Sequence, residues 1–151
     1  MYKKSIIHHI SKITVDILFY LSIVCTLLTP FIAPEIFNWI NYPDVSRLPF
    51  FTAELLISGI GCIYILFNLK TMYRSLLTGN PFVEKNISCF RKIAITCFAV
   101  AIVYIVKAVL DFTLATIIIA IIFIVGCLFC LTLKDLFKQA INYKVENDLT
   151  I

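Results

Sequence analysis

The residues with most chemistry to offer are Cys127-x-x-Cys130, His8-His9 and four ionisable groups set in or beside long apolar runs, Asp16, Glu54, Lys107 and Asp111. A CxxC pair can cycle between dithiol and disulfide. Here both thiols fall inside the last apolar run, near Lys134, and no second pair stands in a hydrophilic loop to relay electrons. At i and i+3 of an apolar helix they read as packing residues, with a membrane thiol redox protein as the second alternative. Adjacent histidines on a helix point in different directions, and the chain holds no others, so no metal or haem site is expected. Ionisable groups mark transport pathways when they lie at mid-bilayer depth. Asp16, Glu54, Lys107 and Asp111 each fall near the end of an apolar run and read as interface anchors, Glu54 being the first to test. Lys107 and Asp111, four apart, are placed to pair on one helical face.

These groups have to be positioned by segments made for lipid. The 151 residues are 61% hydrophobic and only 15% charged, with a mean hydropathy of +0.98. A soluble domain is nearer half apolar and a quarter charged. A water-soluble fold of this size cannot hide so much apolar surface. Six cysteines lie in or beside apolar runs and none in the one long hydrophilic connection, which excludes a disulfide framework.

Four runs approach the ~20 residues that cross a bilayer core: 13–33, 53–69, 93–109 and 112–133. The expected fold is an all-α integral membrane four-helix bundle, one membrane domain over 1–151. The basic lead 1–12 is followed by a long apolar run without an Ala-x-Ala site and reads as retained. Pro30 and Pro34 mark the exit of the first span. Pro34, Pro43 and Pro49 discourage a long helix between Glu35 and Phe51, leaving a short interfacial helix near 35–40. Trp39 and Tyr42 suit the interface. Ser58, Gly59, Gly61 and Cys62 give the second span a small-residue face, and Cys97/Ala101 and Thr116/Ala120 are small-xxx-small pairs, which in lipid let helices approach closely.

Residues 70–92 form a polar hinge. Its first part, Lys70–Leu77, is amphipathic and Thr78-Gly79 ends it. Asn80-Pro81 carries the next helix start, as N-cap and first-turn residue, with Glu84 near the positive end of the dipole. Residues 134–151 form an amphipathic helical tail in which Leu133, Leu136, Phe137, Ala140 and Ile141 recur at helical spacing.

Of the thirteen Lys and Arg residues, all but Arg47 and Lys107 lie in the N-terminal lead, the hinge or the tail. Positive residues stay on the cytoplasmic side. Both termini and the hinge are therefore expected inside a multi-pass protein of the cell inner membrane, and the net charge of +4 sets topology rather than binding nucleic acid. No phosphate-binding glycine loop, HExxH or serine nucleophile signature is present. No enzyme, no cofactor and no metal is expected, and the lipid bilayer is the expected partner. A homo-oligomer stays open.

Gly79-Asn80-Pro81-Phe82, then Asn86, then Phe90-Arg91-Lys92-Ile93-Ala94 resembles the pattern G-x-P-F-x-x-x-N-x-x-x-L-R-x-I of a bacterial membrane family, domain of unknown function 2975. Glu146-Asn147-Asp148-Leu149-Thr150-Ile151 resembles its E-x-D-L-T-I ending. The four-span layout also matches, so the resemblance covers nearly the whole chain. Phe90 stands where the family often has Leu, and Ala140-Ile141-Asn142-Tyr143 replaces the usual Gly-x-x-Leu before the ending. The interaction and hinge residues singled out are Gly79, Pro81, Phe82, Asn86, Arg91, Glu146, Asp148 and Thr150, with Arg91 able to pair with the acidic ending. The resemblance implies a small integral membrane protein without established biochemical activity. Members are often encoded beside a helix-turn-helix transcription regulator, which implies a membrane partner of such a cytoplasmic regulator. The first alternative is a small transporter or a protein giving immunity to membrane-active peptides, and transport requires a polar, water-accessible site at mid-bilayer.

Overall fold

In lipid the backbone N–H and C=O groups of an apolar segment have only one another as partners, and a helix pairs them within the segment. The computed structural model describes residues 6–40, 44–78 and 82–148. Among them stand four helices, α1 (Ile6–Trp39), α2 (Leu48–Leu77), α3 (Glu84–Leu110) and α4 (Leu114–Asp148), with a 3-10 turn at Val45–Arg47 and no strand. All four are long and apolar enough to cross a membrane. This is the layout of a multi-pass membrane protein.

The helices outrun the expected spans. At about 1.5 Å per residue, the 35 residues of α4 reach roughly 50 Å, well beyond a hydrocarbon core of about 30 Å. The amphipathic tail is thus not a separate element but the last turns of α4. α1 likewise runs through Pro30 and Pro34 to Trp39 instead of leaving at them. Proline interrupts a lipid-embedded helix less than a soluble one, because its neighbours can take up the freed carbonyls and no water competes for them. Pro49 sits in the first turn of α2, where its missing N–H is no loss. Thr78 ends α2 as expected, its N–H bonded to the Arg74 carbonyl at 3.2 Å.

The start of α3 differs from the sequence reading. Val83, in extended conformation, is the N-cap, and the helix begins at Glu84. Asn86 N–H closes the first turn on the Val83 carbonyl at 2.9 Å. Phe82 is drawn aside against Phe137, with ring centroids 5.4 Å apart, which keeps the chain extended up to Val83. Asn80 and Pro81 lie outside the described residues.

The packing is serial. α1 lies on α2, α2 on α3 and α3 on α4, each antiparallel to the last, and no Cα of α1 comes within 8 Å of one in α3 or α4 among the described residues. Among the described residues the four helices of the expected bundle stand in an open row. The reason lies in α2, whose glycines point to opposite neighbours. A Cβ on Gly59 would stand 2.5 Å from Thr26 Oγ1 of α1, and one on Gly61 would stand 2.8 Å from Val100 Cγ2 of α3. Two positions apart on a helix is slightly more than a half-turn, so the small residues serve two seams instead of one face. Cys62 is exposed.

α3 is the spine of the row: 33% of its apolar stretch is buried, against 6% in α1. Cys89, Phe90, Ile93, Ala94 and Cys97 pack with Met72 and Cys127 in one cluster, and Val100 and Tyr104 with Ala120 in a second. The small-xxx-small pairs Cys97/Ala101 and Thr116/Ala120 are all buried. The antiparallel order gathers the α1–α2 and α3–α4 connections at one end, the loop end. The α2–α3 connection, the start of α1 and the finish of α4 share the other, the terminal end.

Candidate functional site

The loop end concentrates charge. Glu54, one turn and a half into α2, is buried, and its Oε2 lies 2.6 Å from Lys107 Nζ of α3. Lys107 also lies 5.2 Å from the centre of the Phe51 ring, within cation–π range. Arg47 Nη1 meets Asp111 Oδ1 directly and its Nε stands 3.7 Å from Asp44 Oδ2. Below these pairs, Ser58 Oγ lies 2.8 Å from the Glu54 carbonyl oxygen and 3.0 Å from the Tyr104 hydroxyl. These charged side chains, with others of α2, α3 and the turn before α2, line a half-open cavity of about 560 Å³.

The expected Lys107–Asp111 pairing is replaced by Lys107–Glu54 and Asp111–Arg47. A four-residue spacing brings side chains together only while both residues are helical. α3 ends at Leu110, and Asp111 is extended (φ −140°, ψ 94°), so its carboxylate turns off the helix face towards Arg47. The sequence reading thus found Glu54, Lys107 and Asp111 but missed Arg47, Asp44, Phe51 and Tyr104. Arg47 was legible in one respect: with Lys107 it is the only basic residue away from the lead, hinge and tail.

Asp44 accepts hydrogen bonds from Ser46, including one from its backbone N–H at 3.0 Å. These bonds, with Arg47 close by, hold its carboxyl below the ordinary value of 3.8.

The terminal end is tied differently. Phe137 of α4 packs between Phe82 and Phe90, with centroids at 5.4 and 5.0 Å. That aromatic contact joins the tail to the hinge. Arg91 is exposed, Asn86 is wholly buried in the first turn of α3, and Glu146 is exposed. Gly79, Pro81, Thr150 and the Asp148 side chain lie outside what is described, so the proposed Arg91–Asp148 pair does too. Asp16 of α1 pairs with Lys70 of α2 at 3.0 Å, and the Lys70 ammonium lies 5.1 and 4.8 Å from the Phe19 and Tyr20 rings. Cys127 is buried against α3, Cys130 is half-buried beside it, and both are free thiols. Among the described residues no three His, Cys, Asp or Glu side chains are grouped to hold a metal.

A family model described as "Protein of unknown function (DUF2975)" matches residues 32–151. The chain belongs to the DUF2975 family. The DUF2975 match takes in the last turns of α1 and everything after them, so the whole loop-end cluster and the Phe82–Phe137–Phe90 contact are inside it. Asp16 and most of α1 precede it. Neither the search of curated proteins nor the search of solved structures finds a match.

Proposed function

We propose that this DUF2975 protein is a non-catalytic membrane-spanning interaction protein whose tail presents a docking helix to a cytoplasmic helix-turn-helix transcription regulator. One observation carries the reading: α4 leaves the apolar region without a break and continues to Asp148 as a helix, steadied by Phe137 against Phe82 and Phe90. A tail that served only to end the chain has no need of rigidity or of an aromatic clamp. Lys134, Lys138 and Lys144 mark that end as the cytoplasmic one by the charge rule. A transporter calls for ionisable groups at mid-depth. The ion pairs between helices here gather towards the two ends instead.

The test is a photo-crosslinking residue placed at Gln139 or Tyr143, both exposed on α4, in intact cells. Mass spectrometry of the adducts is expected to return a DNA-binding protein, and Phe137→Ala is expected to weaken that adduct. Adducts containing only lipid or copies of this chain overturn the reading.

A further inference from the structure

We infer that Cys97 of α3 and Cys130 of α4 are a redox-active pair, oxidised by an apolar organic hydroperoxide to a disulfide that bolts the two helices together. The inference is independent of any partner of the tail. It begins with register. Two aromatic pairs cross the α3–α4 seam, Phe90 with Phe137 and Tyr104 with Phe123, their ring centroids 5.0 and 6.3 Å apart. Cys97 is seven residues from both Phe90 and Tyr104, and Cys130 is seven from both Phe137 and Phe123. Seven residues are close to two helical turns, so each set of three lies along one face. Because the helices run antiparallel, a step of seven up α3 matches a step of seven down α4. The two thiols therefore share the layer midway between the ring pairs.

Packing agrees with the register. Cys97 is buried in the cluster against which Cys130 packs. The neighbours in this layer are small. Ala94 and Ala101 are buried on α3, and Cys97 Sγ lies 3.8 Å from where a Cβ on Gly126 of α4 would stand. Small contacts hold helix axes towards the short end of about 8–10 Å. With each Cα about 2.3 Å off its axis, facing Cα atoms then come within the reach of a disulfide, at most about 6.8 Å.

Access decides the order of events and the oxidant. Cys97 is 6% exposed and Cys130 half-buried, so Cys130 meets the oxidant first. The residues on either side of it, Phe129 and Leu131, are exposed and apolar, which favours an uncharged, apolar oxidant over an ionic one. Cys130 sulfur attacks a peroxide oxygen as its proton passes to the departing alcohol: the S–O bond forms and the O–O bond breaks. Cys97 sulfur then attacks the sulfenic acid: the S–S bond forms, the S–O bond breaks, and water leaves with the Cys97 proton. The two electrons given up by the thiols reduce one hydroperoxide to one alcohol and one water. Cys127 is buried in the same cluster but stands off the seven-residue register.

The full chain, reduced and held in nanodiscs, is treated with cumene hydroperoxide. Free thiols are then blocked with N-ethylmaleimide, and the chain is digested and read by mass spectrometry without reductant. A peptide pair joining Cys97 to Cys130 is expected, with one cumyl alcohol released per link. Cys130→Ser is expected to lose the link and Cys127→Ser to keep it. Cys97→Ser is expected to stop the reaction at a Cys130 sulfenic acid, which dimedone captures. Hydrogen peroxide at the same concentration is expected to act more slowly. A link from Cys97 to Cys127, closure within Cys127–Cys130, or no link overturns the assignment. So does an equal yield from chain unfolded in denaturant, a Cys97→Ser variant without a dimedone adduct, or hydrogen peroxide acting as fast.

Discussion

Lys107 Nζ stands 2.6 Å from Glu54 Oε2, and this contact fastens α3 to α2 one turn from the Ser58–Tyr104 hydroxyl pair. Only 9% of the Glu54 side chain and 22% of that of Lys107 is exposed. Removing one partner of a buried pair strands the other charge at a cost of about 3–5 kcal/mol, whereas removing both can be nearly neutral. Glu54→Gln is therefore expected to destabilise strongly, and Glu54→Gln/Lys107→Gln to recover most of the loss. Denaturant unfolding in micelles measures both. A double variant no more stable than the sum of the singles would show that the pair is not coupled.

The two glycines of α2 make separable predictions. Gly59→Ala brings a Cβ to 2.5 Å from Thr26 Oγ1 and Gly61→Ala one to 2.8 Å from Val100 Cγ2. Each is expected to destabilise, and each is expected to be rescued only by its own neighbour, Thr26→Ala for the first and Val100→Ala for the second. Residues in contact show coupling energies of about 0.5–3 kcal/mol, and distant ones do not. Cross-rescue would contradict the serial packing.

Phe137 is the link between tail and hinge. Phe137→Ala removes both ring contacts, and because Phe137 is only partly buried the loss is expected at or below the low end of the roughly 3–5 kcal/mol seen for buried Phe→Ala. Hydrogen exchange is expected to accelerate over 134–148 and at the start of α3 and to be unchanged at the loop end. Uniform acceleration along the chain would mean that Phe137 supports the whole fold.

Asp44 gives a pH prediction with a definite sign. A carboxyl held below its ordinary value of 3.8 stabilises the folded turn above that value and loses the contribution as pH falls through the lower, folded value. Between pH 7 and 5 the Asp44 carboxylate therefore stays charged and the Ser46 bond intact. The carboxyl carbon shift of Asp44, followed by NMR across an acid titration, is expected to have its midpoint below pH 3.8. A midpoint above 3.8 would remove the basis for this reading.

The helical class and the number of long apolar segments were legible because an apolar run of that length can pair its backbone groups within itself only as a helix. The breaks were less legible. Pro30 and Pro34 read as an exit because proline stops helices in water, yet α1 carries both. Asn80-Pro81 has the chemistry of a helix start, but Phe82 is held by Phe137 from far along the chain, and α3 begins at Glu84. The partners of Glu54 and Asp111 were hidden for the same reason. Both bond across a seam, and only the extended backbone of Asp111 breaks the tie in favour of Arg47.

The one-after-another order of the helices has a mechanical outcome. The first apolar cluster is built from α2, α3 and α4 and the second from α3 and α4, while α1 contributes to neither and packs on α2, with Thr26 at Gly59, Asp16 at Lys70 and Phe37 against Phe51. The molecule is thus a ribbon with α1 as its margin: among the described residues its hold on the rest runs through a single seam with α2, and a change at that seam leaves the residues of both clusters untouched.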